Sequence, residues 1–223
     1  MAAGPGVPGS GQHVPGSGHQ EGCRSPVVPR GLPDAWRPLL RRPALAGLLG
    51  HPLADAALAE LDRLLPADVA LHSLRTFLLA DARARARGTA YDRAGLLAAA
   101  AFHDAGLVGR APLGRGGFTG RSAELLDRFL ADRRVSAARR RELTRAVREH
   151  MRPFPARGAG PEARLLHFGA WLDVTGRGAS RVPGERRRLA ALAPTPWFAF
   201  SFCARVAACG PRRVLPGPAA AAR

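Results

Sequence analysis

Two residues that could do chemistry stand side by side near the middle of the chain, His103 and Asp104. They follow an uninterrupted run of leucine and alanine over residues 96–101. This run predicts a helix, because both residue types favour helices and no β-branched residue interrupts them. The run is apolar nearly all round, so the helix is expected to be central and buried. An ionised carboxylate on it is costly unless an arginine or a metal ion meets it, and the residues alone leave both alternatives open.

Two further residues on predicted helices could reach the His103–Asp104 pair. His72 lies on the apolar face of a helix that precedes the pair, and Asp173 lies on a later helix. Asp173 shares its face with Gly169 and Ala170, by the spacing of three and four residues that places side chains together. Because these two residues are small, that helix is expected to approach a neighbour closely and bring the carboxylate to a shared site.

The elements that must position these residues are all predicted to be helices. Proline at helix starts and glycine at helix ends mark the boundaries, and no stretch alternates as a strand does. The sequence therefore predicts an all-α fold with one helical bundle domain over residues 31–209. The predicted helices cover residues 33–49, 53–65, 68–87, 92–108, 121–134, 136–151, 161–175, 185–192 and 196–208.

Three segments are expected to lie outside this helical core. Residues 1–30 repeat the sequence VPGSG and residues 210–223 are rich in proline and alanine, so both ends are predicted to be disordered tails. The glycine-rich segment 109–117 is predicted to form a loop that covers the site as a lid. It is not a P-loop, because the required Gly-Lys-Ser/Thr ending is absent.

The charge of the chain is unusual, at a formal +17 from 34 basic and 17 acidic residues, and every basic residue is arginine. The complete absence of lysine indicates a compositional bias more than a nucleic-acid binder, which usually mixes both cations. Nucleic acid is therefore not an expected partner, although weak polyanion binding stays open. Three widely spaced cysteines and no membrane-length apolar run predict a cytoplasmic protein that does not bind membranes. The oligomeric state cannot be predicted.

Three sequence blocks carry a resemblance to a known family: HSLRTF at residues 72–77, AFHDAGL at 101–107 and GAWLDVTG at 169–176. In this order they resemble the HD superfamily of metal-dependent hydrolases, and within it the cyanamide hydratase-like branch most closely. The resemblance covers about half the chain, from roughly residue 65 to 176. It implies an HD-type helical bundle holding one divalent metal (zinc, iron or manganese) on His72, His103, Asp104 and Asp173.

The resemblance also implies an enzyme, a hydrolase or hydro-lyase that adds metal-activated water to a small-molecule substrate. Asp104 could accept a proton from that water, and His150 could donate a proton or help to hold a second ion. Alternatively, His150 only ends its helix, stabilised by the helix dipole. Arg75 could orient the substrate or pair structurally with the carboxylates. The alternative functions are an HD-type phosphohydrolase acting on a nucleotide or phosphoester, and a non-catalytic basic binding protein on the same scaffold.

Overall fold

The computed structural model describes Met1 and residues 31–108 and 116–209. All regular structure within these residues is helical, which confirms the predicted all-α class. The two predicted disordered tails, apart from Met1, and residues 109–115 of the predicted lid lie outside the described residues. In the described part of the chain, no helix combines the length and the apolar character needed to cross a membrane.

Ten α-helices, joined by turns and short 3-10 segments, make up the described part of the chain. They are α1 (Arg37–Leu40), α2 (Pro43–Ala46), α3 (Pro52–Leu64), α4 (Ala67–Arg87), α5 (Arg93–Phe102), α6 (Gly117–Asp132), α7 (Ala137–Glu149), α8 (Pro161–Thr175), α9 (Glu185–Leu192) and α10 (Phe198–Ala208).

Helix α4 is the longest helix described and lies at the centre of the bundle. It packs most extensively against α8 and also against α5. Helix α3 packs on α5, and the pair α6–α7 also contacts α5. Most residues of α4 between Val69 and Ala84 are buried, including leucines on several faces. Helix α4 ends at Gly88, whose φ of 61° is the left-handed conformation that glycine adopts without strain.

Several predicted helix boundaries are wrong, and the two largest differences have local causes. The helix predicted over residues 33–49 is divided into a 3-10 turn, α1 and α2, because Pro43 lacks the N–H group that would continue a helix. The central helix predicted over residues 92–108 ends at Phe102, and Asp104 takes the non-helical φ and ψ of −110° and 6°. His103 and Asp104 therefore stand at the end of the helix and in the turn that follows.

The turn after Asp104 lies directly against the start of α6. A Cβ atom built on Gly106 would stand 2.0 Å from the backbone oxygen of Phe118, so only glycine fits there. The backbone N–H of Gly106 donates to the hydroxyl of Ser122 at 2.8 Å. Helix α6 accordingly begins at Gly117, four residues before the predicted start at Arg121.

The predicted close approach of the helix that carries Asp173 is confirmed. A Cβ atom on Gly169 would stand 2.2 Å from the backbone oxygen of Thr76, so α4 and α8 touch through their backbones at this point. His72 lies one helical turn before Thr76, and Asp173 one turn after Gly169. The small residue therefore sets the distance between the two helices that carry these side chains.

We expect Gly169→Ala to lower the free energy of unfolding by about 1–3 kcal/mol, because the added methyl group overlaps backbone atoms that cannot move independently. Gly120→Ala in α6 is the matched control, since no atom of the described residues lies within 4 Å of a Cβ there. The control should be neutral or stabilising by roughly 0.5–1 kcal/mol. Urea denaturation of both variants measures the difference, and equal stabilities would show that α4 and α8 are not in backbone contact.

Candidate metal centre

Three buried side chains bring one donor atom each to a common point. Nε2 of His72 lies 3.1 Å from Nε2 of His103 and 3.5 Å from Oδ2 of Asp104, and Nε2 of His103 lies 3.2 Å from the same oxygen. All three side chains are at most 1% exposed. These three residues form a group that could hold a metal ion.

The orientation of each imidazole in this group is set by its second nitrogen. Nδ1 of His103 donates to the backbone oxygen of Ala100 at 2.7 Å, which also satisfies a carbonyl in the last turn of α5. Nδ1 of His72 donates to Oδ2 of Asp173 at 2.7 Å. With Nδ1 as the hydrogen-bond donor of each ring, the Nε2 atoms are the ones that face the common site and could ligate a metal.

Asp104 is the least satisfied polar side chain of the site. Neither of its carboxylate oxygens has a hydrogen-bond partner in the described residues, although the side chain is buried. Its nearest ionisable neighbours are imidazole rings, and no arginine among the described residues forms an ion pair with it. The sequence left two partners open for Asp104, an arginine or a metal ion shared with the neighbouring imidazole. No described arginine pairs with Asp104, and His72, His103 and Asp104 form a group that could hold a metal ion.

Arg75 pairs with the other buried carboxylate, that of Asp173. Arg75 donates from Nε to Oδ1 of Asp173 and from Nη2 to Oδ2, both at 2.9 Å, in a two-pronged ion pair. Its third contact is a hydrogen bond from Nη1 to the backbone oxygen of Ala193 at 2.8 Å. Asp173 therefore binds Nδ1 of His72 and is not part of the group of converging donors. Arg75 pairs structurally with the carboxylate of Asp173, which is one of the two roles that the sequence left open for Arg75.

His150 stands on the other side of Asp104. It ends α7 as His103 ends α5, with Nδ1 donating to the backbone oxygen of Val147 at 2.7 Å. Its Nε2 atom is buried without a hydrogen-bond partner and lies 3.4 Å from Oδ1 of Asp104. Asp104 is thus flanked by His103 and His72 at one oxygen and by His150 at the other.

Burial and charge act in opposite directions on the ionisable groups of this site. Burial lowers the pKa of His150 below its ordinary value. Burial also acts to lower the pKa of His103, but attraction by Asp104 outweighs it and the pKa is raised. Burial would raise the pKa of Asp104, yet His103 and His150 hold it below its ordinary range. The pKa of Asp173 is likewise lowered against burial, by His72 and Arg75.

The separation of the three donors fits a transition metal. Ligands bound tetrahedrally at about 2.0–2.1 Å stand about 3.3–3.4 Å from one another. The observed separations of 3.1, 3.2 and 3.5 Å lie around this value. Two imidazoles and one carboxylate are also the donors of catalytic zinc sites and of non-haem iron(II) sites, which keep a position open for water or substrate. The residues present therefore fit a divalent ion.

A small cavity of about 60 Å³ adjoins the donors. His72, His103, Asp104 and His150 form its polar wall, and the rest of its lining is mainly apolar: Met151, Ala170, Trp171, Val174, Thr175 and Phe202. An open metal position among these donors would face this cavity. Such a volume is far below the roughly 300–1,000 Å³ of pockets that hold drug-sized ligands.

Sequence reasoning missed the aromatic residues that surround the donors. Phe198 at the start of α10 stacks on the imidazole of His72, with ring centroids 4.7 Å apart and planes inclined by 28°. Trp171 donates from Nε1 to the backbone oxygen of His150 at 3.0 Å and so fixes the end of α7. The signal available in the sequence was the position of Trp171, two residues before Asp173 and inside the block at residues 169–176 that carries the family resemblance.

The chain matches no protein-family model, and no curated protein is similar to it. What can be said of its chemistry therefore rests on the residues and their geometry.

We expect protein purified without chelators to carry close to one equivalent of a divalent transition metal, measured by elemental analysis. Asp104→Asn should abolish this metal, because it removes a ligand charge from a buried site. Asp173→Asn should retain metal with an affinity roughly 10–100-fold weaker, as for a residue that only orients a ligand.

Asp62→Asn, at an exposed position of α3, is the control and should bind metal as the wild type does. A wild-type protein without metal, or an Asp104→Asn variant with full metal content, would contradict the site. Complete loss in Asp173→Asn would instead make Asp173 a direct ligand, as the family resemblance implies.

Proposed function

We propose that the protein is a metal-dependent hydrolase or hydratase of the HD type that adds water to a small neutral molecule. The observation that carries this proposal is the convergence of His72, His103 and Asp104 on a small and mainly apolar cavity. The three sequence blocks of the HD resemblance support it too, because each contributes a residue to this one region. A bound ion would supply a polarised electrophile and an acidified water.

The residues of the chain itself would handle the proton. Nδ1 of His150 is occupied as a donor to Val147, which leaves the lone pair on Nε2, and the lowered pKa keeps this ring neutral near pH 7. His150 lines the cavity, and its Nε2 atom lies 3.4 Å from Oδ1 of Asp104. We infer that His150 Nε2 takes the proton from the attacking water and that Asp104 stabilises the resulting imidazolium. The same proton then returns to the product.

The charge of the cavity favours a neutral substrate over a phosphoester. A phosphomonoester carries about two negative charges, and its sites gather several cations or backbone donors. None of the described residues that line the cavity is an arginine. Arg75, the nearest candidate, is fully engaged by Asp173 and Ala193. Phosphoester hydrolysis therefore stands second.

The hydration of cyanamide to urea is the reaction we would test first, because the substrate is small and neutral. Water adds its oxygen to the nitrile carbon and both of its protons end on the nitrile nitrogen, so the reaction needs no other reactant. Metal-loaded protein should form urea, and a parallel panel of nucleotides should release no phosphate. Phosphate release that disappears in Asp104→Ala, with no urea formed from cyanamide, would reverse this ranking.

His150→Gln tests the proton step separately from metal binding. The variant should keep its metal, because His150 is not one of the converging donors, and lose roughly 10²–10⁴-fold in kcat. The low-pH limb of the wild-type kcat profile should also disappear, since glutamine does not titrate. His167→Gln, another buried histidine, should keep wild-type kcat. Unchanged kcat and pH profile in His150→Gln would remove His150 from the mechanism.

A further inference from the structure

A second and much larger cavity lies beside the metal-site cavity and shares only Trp171 with it. Its volume is about 560 Å³, within the range of pockets that hold small-molecule ligands. The end of α4, the segment before α8, α8 itself and the turn after it form its walls. Among the described residues that line it, five are arginines and none is acidic: the arginines are Arg83, Arg87, Arg164, Arg177 and Arg181.

These five arginines lack carboxylate partners within the described residues. The ion pairs within the described residues involve other arginines, whereas the guanidinium groups of Arg164 and Arg177 donate to the backbone oxygens of Ala159 and Pro153. Burial lowers the pKa of Arg83, and repulsion by Arg87 and Arg181 lowers it further. The positive charge of the cavity is therefore not neutralised by carboxylates of the described residues.

A lack of acidic residues is not a general property of the clefts of this molecule, as two other clefts show. One cleft mixes Arg139 and Arg145 with Glu142, Glu149 and Glu162. Another mixes three arginines with Glu124 and Asp127. With arginine twice as abundant as acidic residues, clefts of mixed charge still form elsewhere. The cavity beside Trp171 differs from them because its described lining residues include five arginines and no acidic residue.

Aromatic rings stand among these arginines. The guanidinium of Arg177 lies 4.9 Å from the ring centroid of Phe154 and 5.5 Å from that of Trp171, and Arg83 lies 5.6 Å from that of Phe168. Phe154 is 70% exposed although it is a large apolar side chain. Flat guanidinium and aromatic surfaces next to free positive charge can stack on a planar ring while other arginines bind phosphate oxygens.

We propose that this cavity binds a small phosphorylated ligand with a planar ring, of the nucleotide class. Guanidinium groups pair with phosphate oxygens in a two-pronged geometry, which suits a ligand with two or more phosphates. The exposed ring of Phe154 receives the planar part of the ligand. This inference goes beyond the proposed function and does not depend on a metal ion, since the cavity contains none of the converging donors.

Calorimetric titration of the full-length protein with ATP at about 0.15 M salt tests the proposal, with tripolyphosphate and adenosine as partial ligands. ATP should bind more tightly than either partial ligand. The double variant Arg87→Gln/Arg181→Gln should weaken ATP binding by at least about tenfold, because each change removes a charged hydrogen-bond donor. Both residues are exposed, so the variant is expected to fold.

Arg141→Gln/Arg148→Gln is the matched control, because it removes the same charge from exposed positions of α7 in a cleft of mixed charge. It should change ATP affinity by less than about twofold. Equal losses in the two double variants would mean diffuse attraction and would overturn the proposal. Binding of adenosine or tripolyphosphate as tight as that of ATP would also overturn it. The same holds if a single-stranded oligonucleotide binds more tightly than ATP and Arg87→Gln/Arg181→Gln does not change its affinity. Asp104→Asn should bind ATP as the wild type does, which separates this site from the metal centre.

Discussion

The burial of the Asp104 carboxylate is the constraint on which the rest of the site depends. An ionised carboxylate removed from water is unfavourable by several kcal/mol unless a charge or hydrogen bonds replace the lost hydration. Among the described residues neither oxygen has a hydrogen-bond partner, and the groups around them are the Nε2 atoms of His72, His103 and His150. Two of these imidazoles use Nδ1 to end a helix and the third uses it to bind Asp173. A cation between Asp104 and its neighbours would compensate this charge.

The surrounding bundle keeps these donors in place. The backbone contact between Gly169 and Thr76 fixes the distance between α4 and α8, and the pair Arg75–Asp173 joins the same two helices across a buried interface. Asp173 then orients the imidazole of His72, which Phe198 covers from α10. The charge of the buried Asp173 carboxylate is thus neutralised by Arg75, while the Asp104 carboxylate remains for the candidate metal site. This division explains why a chain so rich in arginine can contain a carboxylate without an arginine partner.

Much of this arrangement can be predicted from the sequence, and the remainder depends on tertiary contacts. Periodicity and helix-ending glycines predict most helices, and the small residues before Asp173 predict the close approach of its helix to a neighbour, which the structure shows to be α4. The end of α5 at Phe102 was not predictable from propensity, because the run of alanine and leucine carries no stop signal before His103. The turn there depends on the contact of Gly106 with α6. The pairing of Arg75 with Asp173 was foreseen only as one of two alternatives, since sequence does not say which carboxylate an arginine will meet.

The most direct test of a metal ion between His72, His103 and Asp104 is X-ray absorption spectroscopy of the protein purified without chelators. The absorption edge identifies the element, and the fine structure counts the imidazole ligands. We expect a divalent transition metal with two imidazole nitrogens and at least one oxygen at about 2.0–2.1 Å. The imidazole signal should disappear in Asp104→Asn. The absence of a metal edge, or a bound metal whose spectrum shows no imidazole, would contradict the account.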